Sequence, residues 1–124
     1  KIMSEIIGIG TDVIEIDRVI SYCEKNSFFN KYYTEAERKI IEKRKNRAAT
    51  NFAGKEAVVK AFGTGFLNCM PGDIEILRDD FGKPYVNLLG RAKKFAEDRG
   101  IVKIHISLSD TDKIATAFAV AEGE

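Results

Sequence analysis

Sulfur and imidazole are scarce in this chain: two cysteines and one histidine in 124 residues. Cys23 and Cys69 lie far apart and lack the spacing of metal ligands. They are expected to be free thiols in a reducing, cytoplasmic setting. No apolar run is long enough to cross a bilayer and no signal peptide is visible, so no membrane partner is expected. Neither sign of charge dominates. Twenty Lys and Arg face nineteen Asp and Glu, a formal net charge of +1, which leaves no global basic field to attract nucleic acid or membrane. Internal repeats, linkers and low-complexity tracts are also missing, and with them any sign of a second domain. Residues 1–124 are therefore expected to form one domain, with Lys1-Ile2 an artificial remnant ahead of a natural start at Met3. Hydrophobic content of 44% and charged content of 31% are those of an ordinary globule with a real core.

What is present is organised around one stretch, Phe52-Ala53-Gly54-Lys55-Glu56-Ala57-Val58-Val59-Lys60-Ala61-Phe62-Gly63-Thr64-Gly65. On a helix, Ala49, Phe52, Ala53, Val59 and Lys60 fall within about 60° of Glu56. A carboxylate and an ammonium thus sit one turn apart in an apolar stripe, where charge is costly unless paired or metal-bound. Gly63-Thr64-Gly65 ends the helix and permits backbone conformations closed to other residues. The plain alternative is an i,i+4 ion pair followed by a glycine cap.

Around that helix the predicted elements alternate. Glu5 to Val13 reads as a mostly buried strand, with Gly8 and Gly10 allowing another backbone or a ligand to come close. Asp12 follows this Ile-rich segment; it either caps the next helix or offers a hard oxygen to Mg²⁺. Glu15 to about Lys25 is an amphipathic helix with Ile16, Val19, Ile20 and Cys23 inward. Arg18 points elsewhere, towards solvent or an acidic partner. Phe28-Phe29 and Tyr32-Tyr33 around Lys31 read as a loop packing its rings on the core, with base stacking the alternative. Thr34 and Glu37 form a capping box, and Asn46 is expected to cap the central helix with Arg47 in its first turn. Lys43, Arg44, Lys45 and Arg47 make a solvated helix end or, beside a phosphate, a binding group. Asp73 to Arg78 and Tyr85 to Leu88 form a hairpin, Gly90 to Arg99 a helix, and Val102 to Leu108 and Ile114 to Ala121 two further strands. Ser109 to Asp112 is expected to be the turn between those two. His105, on the less apolar face of its strand, reads as structural. The fold class is α+β, with the long helix packed on a small, mostly antiparallel sheet.

Two carboxylates in apolar settings, a lysine and a glycine-flanked helix end suit a Mg²⁺-bound phosphate or diphosphate. No Walker loop or GxGxxG is present. The runs Gly8-Ile9-Gly10-Thr11-Asp12-Val13 and Phe52 to Gly65, the segment Asp73-Ile74-Glu75-Ile76 with Gly82-Lys83-Pro84, and His105-Ile106-Ser107-Leu108-Ser109-Asp110 carry a more specific message. Together, in this order and over nearly the whole chain, they resemble the holo-[acyl-carrier-protein] synthase family, the small bacterial 4′-phosphopantetheinyl transferases.

The resemblance implies transfer of 4′-phosphopantetheine from coenzyme A to a serine of an apo acyl carrier protein, for fatty acid biosynthesis, leaving adenosine 3′,5′-bisphosphate. It implies that Asp12 and Glu56 hold Mg²⁺, that Lys60 bonds the diphosphate, and that Glu56 is the candidate general base. Gly63, Thr64 and Gly65 match the loop lining the coenzyme A site, and Arg18 the helix face that docks the carrier protein. The family is a homotrimer with active sites between subunits, so Lys83-Pro84 and Ser109-Asp110 are expected to reach the nucleotide from the neighbouring chain. Two positions depart from the pattern. Asn51 stands where the family often has an arginine for the 3′-phosphate; Arg47 or Arg44 is expected to substitute, or affinity to fall. Asp110 stands where many members have histidine. The competing reading is a binding module for nucleotide or carrier protein that kept the fold without catalysis. A nucleic-acid-binding role for Phe28 to Arg47 is disfavoured by the neutral charge balance.

Overall fold

A computed structural model of the chain describes residues 4–124; the expectation about Lys1, Ile2 and Met3 lies outside the described residues. Strand β1 (Glu5–Glu15) leads into helix α1 (Ile16–Cys23), α2 (Asn26–Tyr32), α3 (Glu35–Lys43) and the long α4 (Asn46–Phe62). Two short 3₁₀ turns, Gly65–Leu67 and Pro71–Asp73, precede the hairpin β2 (Ile74–Arg78) and β3 (Pro84–Leu88). Helix α5 (Gly90–Asp98) then leads to β4 (Ile101–Asp110) and β5 (Ile114–Gly123). The main sheet is antiparallel in the order β1-β5-β4, and β2-β3 form a separate antiparallel pair. The architecture is the α+β class expected.

Helix α4 is the axis of the molecule. Ala, Lys, Arg and Glu fill nine of its 17 positions and it has no proline, and it stops at Gly63, whose φ of 83° is left-handed and whose N–H bonds the Val59 and Lys60 carbonyls. The sequence suggested one apolar stripe. Instead the helix is buried nearly all round, from Ala48 and Ala49 through Ala53, Ala57, Val58 and Val59 to Phe62. The sheet covers one side, the β2-β3 hairpin another, and α1 to α3 its first half. Small side chains make that enclosure possible. At Gly8 and Gly10 the β1 backbone rests directly on α4, since a Cβ there would strike the carbonyl oxygens of Ala61 and Ala57. Of the two options for these glycines, the close neighbour is another backbone.

Local expectations fared unevenly. The Phe28–Tyr33 segment is largely helix α2, not a loop, because its rings recur at helical spacing. They pack on one another and on Phe52: Phe28 to Tyr32 at 4.8 Å and Tyr32 to Phe52 at 4.9 Å, both stacked. Those faces are occupied, so base stacking has no platform there. Asn46 is the first residue of α4 rather than its cap, and the preceding Lys45 gives no side-chain cap. Ser109 and Asp110 end strand β4, and the turn begins at Thr111, whose hydroxyl accepts from the Lys113 and Ile114 N–H groups. Pairing persists that far because β4 and β5 match residue for residue down to Asp110 and Ala115. Cys23 and Cys69 are both free.

Candidate active site

Strand alternation decides what Asp12 does. In β1 the odd residues Ile9, Thr11 and Val13 face outward, while Gly10, Asp12 and Ile14 face α4. Asp12 lies mid-strand, three residues before Glu15 at the N-cap position of α1, so it caps nothing. Lys60, on the last turn of α4, bonds Asp12 Oδ1 at 3.3 Å and the Thr11 carbonyl at 2.9 Å. The lysine therefore reaches across to β1, and the plain i,i+4 pairing with Glu56 is replaced by a tie between strand and helix. The Asp12 side chain is 15% exposed and that of Lys60 52%, so the pair sits at the rim of the core.

Glu56 is half-buried beside them. Desolvation raises its pKa, the Asp12 charge adds to the rise, and Lys60 opposes it. Asp12 is raised too, by burial, against the bonds and charge of Lys60. Two partly desolvated carboxylates, with the Asp12 charge raising the proton affinity of Glu56, are a receptor for positive charge. No cluster of three or more His, Cys, Asp or Glu suited to a metal occurs among the described residues. The donor set is thus two hard oxygens. It fits a Mg²⁺-type ion that draws its remaining ligands from phosphate oxygens and water, and does not fit zinc. One more group belongs here. The Tyr32 hydroxyl is the one buried side-chain polar atom without a partner among the described residues, and burial and the Glu56 and Asp12 charges push its pKa up. A tyrosine in a ring cluster carries no sequence signal for such a role.

A second polar region lies on the other flank of α4. Asp12, Ala117 and Leu108 form one row across the sheet, with Ala117 buried under the helix. Asp12 and Leu108 are thus two strands apart, roughly 10 Å, with α4 between their side chains. Beside Leu108 opens a cavity of about 430 Å³ lined by Arg44, Lys45, Arg47, Thr50, Arg78, Gly82, Pro84 and Asp110. Four cations against one carboxylate make it a ready anion site. Along α4, Arg47 is nine residues from Glu56, about half a turn out of phase and roughly 13 Å away.

Between the flanks runs a buried polar knot. The capping box forms as expected, but Glu37 does far more than cap. Its Oε1 accepts from the Thr34 N–H at 3.0 Å and Lys55 Nζ at 2.8 Å, and its Oε2 from Asn51 Nδ2 at 2.9 Å and the Ile76 N–H at 3.2 Å. Lys55 also donates to the Pro71 and Ile74 carbonyls. Glu37, Asn51 and Lys55 are all 0% exposed. Burial lowers the Lys55 pKa, and Glu37 opposes the fall. Asn51, the position that departs from the family pattern, is a core residue in this structure and does not line the anion cavity.

The remaining expected residues divide by location. Gly63, Thr64 and Gly65 follow Lys60 at the carboxylate end of α4, with left-handed φ at both glycines. Arg18 is exposed on α1. Pro84 and Asp110 line the basic cavity with Arg47; Lys83 is exposed beside them. Ser109 faces the outer side of β4, one step off the cavity. Thr50 and Arg78 were not foreseen at this cavity. Arg78 reads in the sequence as the polar end of a strand, and only the tertiary fold aims it inward.

Comparison with known proteins places the chain in a family. The profile of the 4′-phosphopantetheinyl transferase superfamily matches residues 8–119. The chain is 50% identical over 117 residues to holo-[acyl-carrier-protein] synthase of Lachnoclostridium phytofermentans, covering 94% of this chain and 96% of that protein. The structure resembles holo-ACP-synthase from Plasmodium yoelii with a TM-score of 0.86, 38% identity and 99% coverage of both chains. It also resembles a Bacillus anthracis holo-(acyl-carrier-protein) synthase in complex with CoA (3′,5′-ADP), with a TM-score of 0.78, 31% identity, and coverage of 96% and 98%.

Proposed function

The chain belongs to the 4′-phosphopantetheinyl transferase superfamily, and on that premise we propose that it moves 4′-phosphopantetheine from coenzyme A to a serine hydroxyl of an apo acyl carrier protein of fatty acid biosynthesis. The observation that carries the reading is the Asp12–Glu56–Lys60 cluster: two desolvated carboxylates and a cation held between β1 and α4. The serine oxygen forms a bond to the β-phosphorus of coenzyme A, the bond to the bridging diphosphate oxygen breaks, and adenosine 3′,5′-bisphosphate leaves. Asp12 and Glu56 would hold Mg²⁺, which when bound supplies charge neutralisation at the diphosphate. Lys60, tethered to Asp12 and Thr11, binds the diphosphate and stabilises charge growing on the leaving oxygen. Glu56, directly or through a water, is the candidate to take the serine proton. Gly63 to Gly65 line the path of the coenzyme A chain, and Arg18 meets the acidic carrier protein.

We read the chain as a single-domain homotrimer with its active sites between subunits. Two features support this. The outer face of the sheet carries an apolar stripe, with Ile9 58%, Val13 63% and Phe118 45% exposed. The carboxylate cluster and the basic cavity lie on opposite flanks of α4, so a ligand touching both is best shared by two copies. Arg47, Lys83, Pro84, Ser109 and Asp110 would then reach the nucleotide from the neighbour. Free Cys23 and Cys69 support a cytoplasmic setting.

The test is intact-mass spectrometry of an apo acyl carrier protein incubated with this protein, coenzyme A and Mg²⁺. One added phosphopantetheine is expected, with the rate down about a hundredfold or more in Glu56→Ala and under EDTA. No added mass on several carrier proteins, despite coenzyme A binding, would make the chain a binding module.

A further inference from the structure

The basic cavity contains a guanidinium held in an unusual way. Arg78 Nη2 donates to Asn51 Oδ1 at 2.9 Å and to Thr50 Oγ1 at 3.3 Å, and Nη1 leans on the Leu77 carbonyl at 3.4 Å. Every acceptor is neutral. Among the described residues Arg78 has no carboxylate within ion-pair distance, and neither do Arg44, Lys45 and Arg47. Glu37 is close enough to influence Arg78, but its oxygens are taken by Lys55, Asn51, Thr34 and Ile76. Asn51 cannot turn round either. Both its N–H bonds are committed, to Glu37 and to the Ile76 carbonyl, so its oxygen must face Arg78. The clamp fixes the guanidinium yet leaves its charge unspent. Burial and the neighbouring Arg47 pull its pKa to about 10, still well above neutral, so the cation persists at a cost an anionic ligand would relieve.

We propose that Arg78, oriented by Asn51 and Thr50, is the specificity-determining grip on a phosphomonoester in this cavity, which makes the enzyme prefer coenzyme A over the same donor lacking its 3′-phosphate. The inference rests on the reading of the chain as a coenzyme A-dependent transferase. A planar fork suits a phosphate dianion, and Arg44, Lys45 and Arg47 surround the same space. Asn51 thereby gains a positioning role, its amide holding an arginine supplied by β2.

The experiment measures kcat/KM for coenzyme A and for 3′-dephospho-coenzyme A in the wild type, Arg78→Gln and Arg78→Lys. Alongside, calorimetry compares adenosine 3′,5′-bisphosphate with adenosine 5′-monophosphate. The wild-type ratio of the two donors is expected to fall about ten- to a hundredfold in Arg78→Gln, with partial recovery in Arg78→Lys. The preference for the bisphosphate in calorimetry falls in step. A purely structural clamp would lower both donors in parallel and the melting temperature with them; an unchanged ratio overturns the proposal. If the wild type transfers nothing yet binds the bisphosphate through Arg78, the transferase reading fails and the phosphate grip stands. If transfer proceeds with an Arg78-independent ratio, the reverse holds.

Discussion

At the scale of single residues, the most consequential side chain outside the reacting cluster is Lys55. Its three donors meet Glu37 and two carbonyls in complete burial. Lys55→Met leaves a buried carboxylate without its counter-charge and two carbonyls without donors. The expected loss is about 3–5 kcal/mol, read as a lower urea midpoint, a large part of a typical domain's stability. Adding Glu37→Leu should recover part of it, because the uncompensated charge is then gone. Little of this was visible beforehand. Glu37 announced itself only as a capping-box residue, and Lys55 only as one member of the run from Phe52 to Gly65. Sequence spacing reports which face of a helix a residue is on, but not that a second helix and a hairpin will close over it. Asp12, by contrast, could be singled out as odd, because a carboxylate in an Ile-rich strand conflicts with its surroundings.

At the scale of elements, the contact of β1 with α4 sets the distance between Asp12 and the pair Glu56 and Lys60. Gly10 is two residues from Asp12 and touches the helix at Ala57, one residue from Glu56. Gly10→Ala must push strand and helix apart. A cost of about 1–3 kcal/mol in unfolding free energy is expected, with a fall in transfer rate at saturating substrate larger than any change in carrier-protein affinity. Equal losses in both would mean that the two elements move together. The strands, the hairpin and the glycine-capped helix were legible from alternation and turn residues. Helix α2 was not, because four aromatic residues in six positions suggest a packed loop until a partner such as Phe52 is known. The end of β4 was missed because Ser109-Asp110 has turn chemistry, which strand pairing overrode.

At the scale of the whole molecule, the apolar stripe on the sheet and the divided binding regions make one prediction. Phe118→Asp should leave the circular dichroism of the chain intact while shifting its sedimentation from trimer to monomer. Transfer activity should be lost with the trimer, since each copy would keep its carboxylates but lose the basic cavity of its neighbour. A monomer of full activity would place the entire site in one chain. Class and layering could be read from the sequence. That the carboxylate cluster and the basic cavity fall on opposite flanks of α4 could not be read from residue patterns, because it depends on sheet order, in which β5 separates β1 from β4.

The knot that joins Glu37, Asn51, Lys55 and Arg78 also limits how such a chain can drift. An arginine introduced at position 51 would meet the Glu37 carboxylate on one side and the Arg78 guanidinium on the other. That single step is poorly tolerated while Arg78 remains, yet it becomes acceptable once position 78 has changed. Order of mutation is therefore expected to matter: Asn51→Arg should lower the melting temperature more in the wild type than in a chain already carrying Arg78→Gln, because only the first places two guanidinium groups side by side.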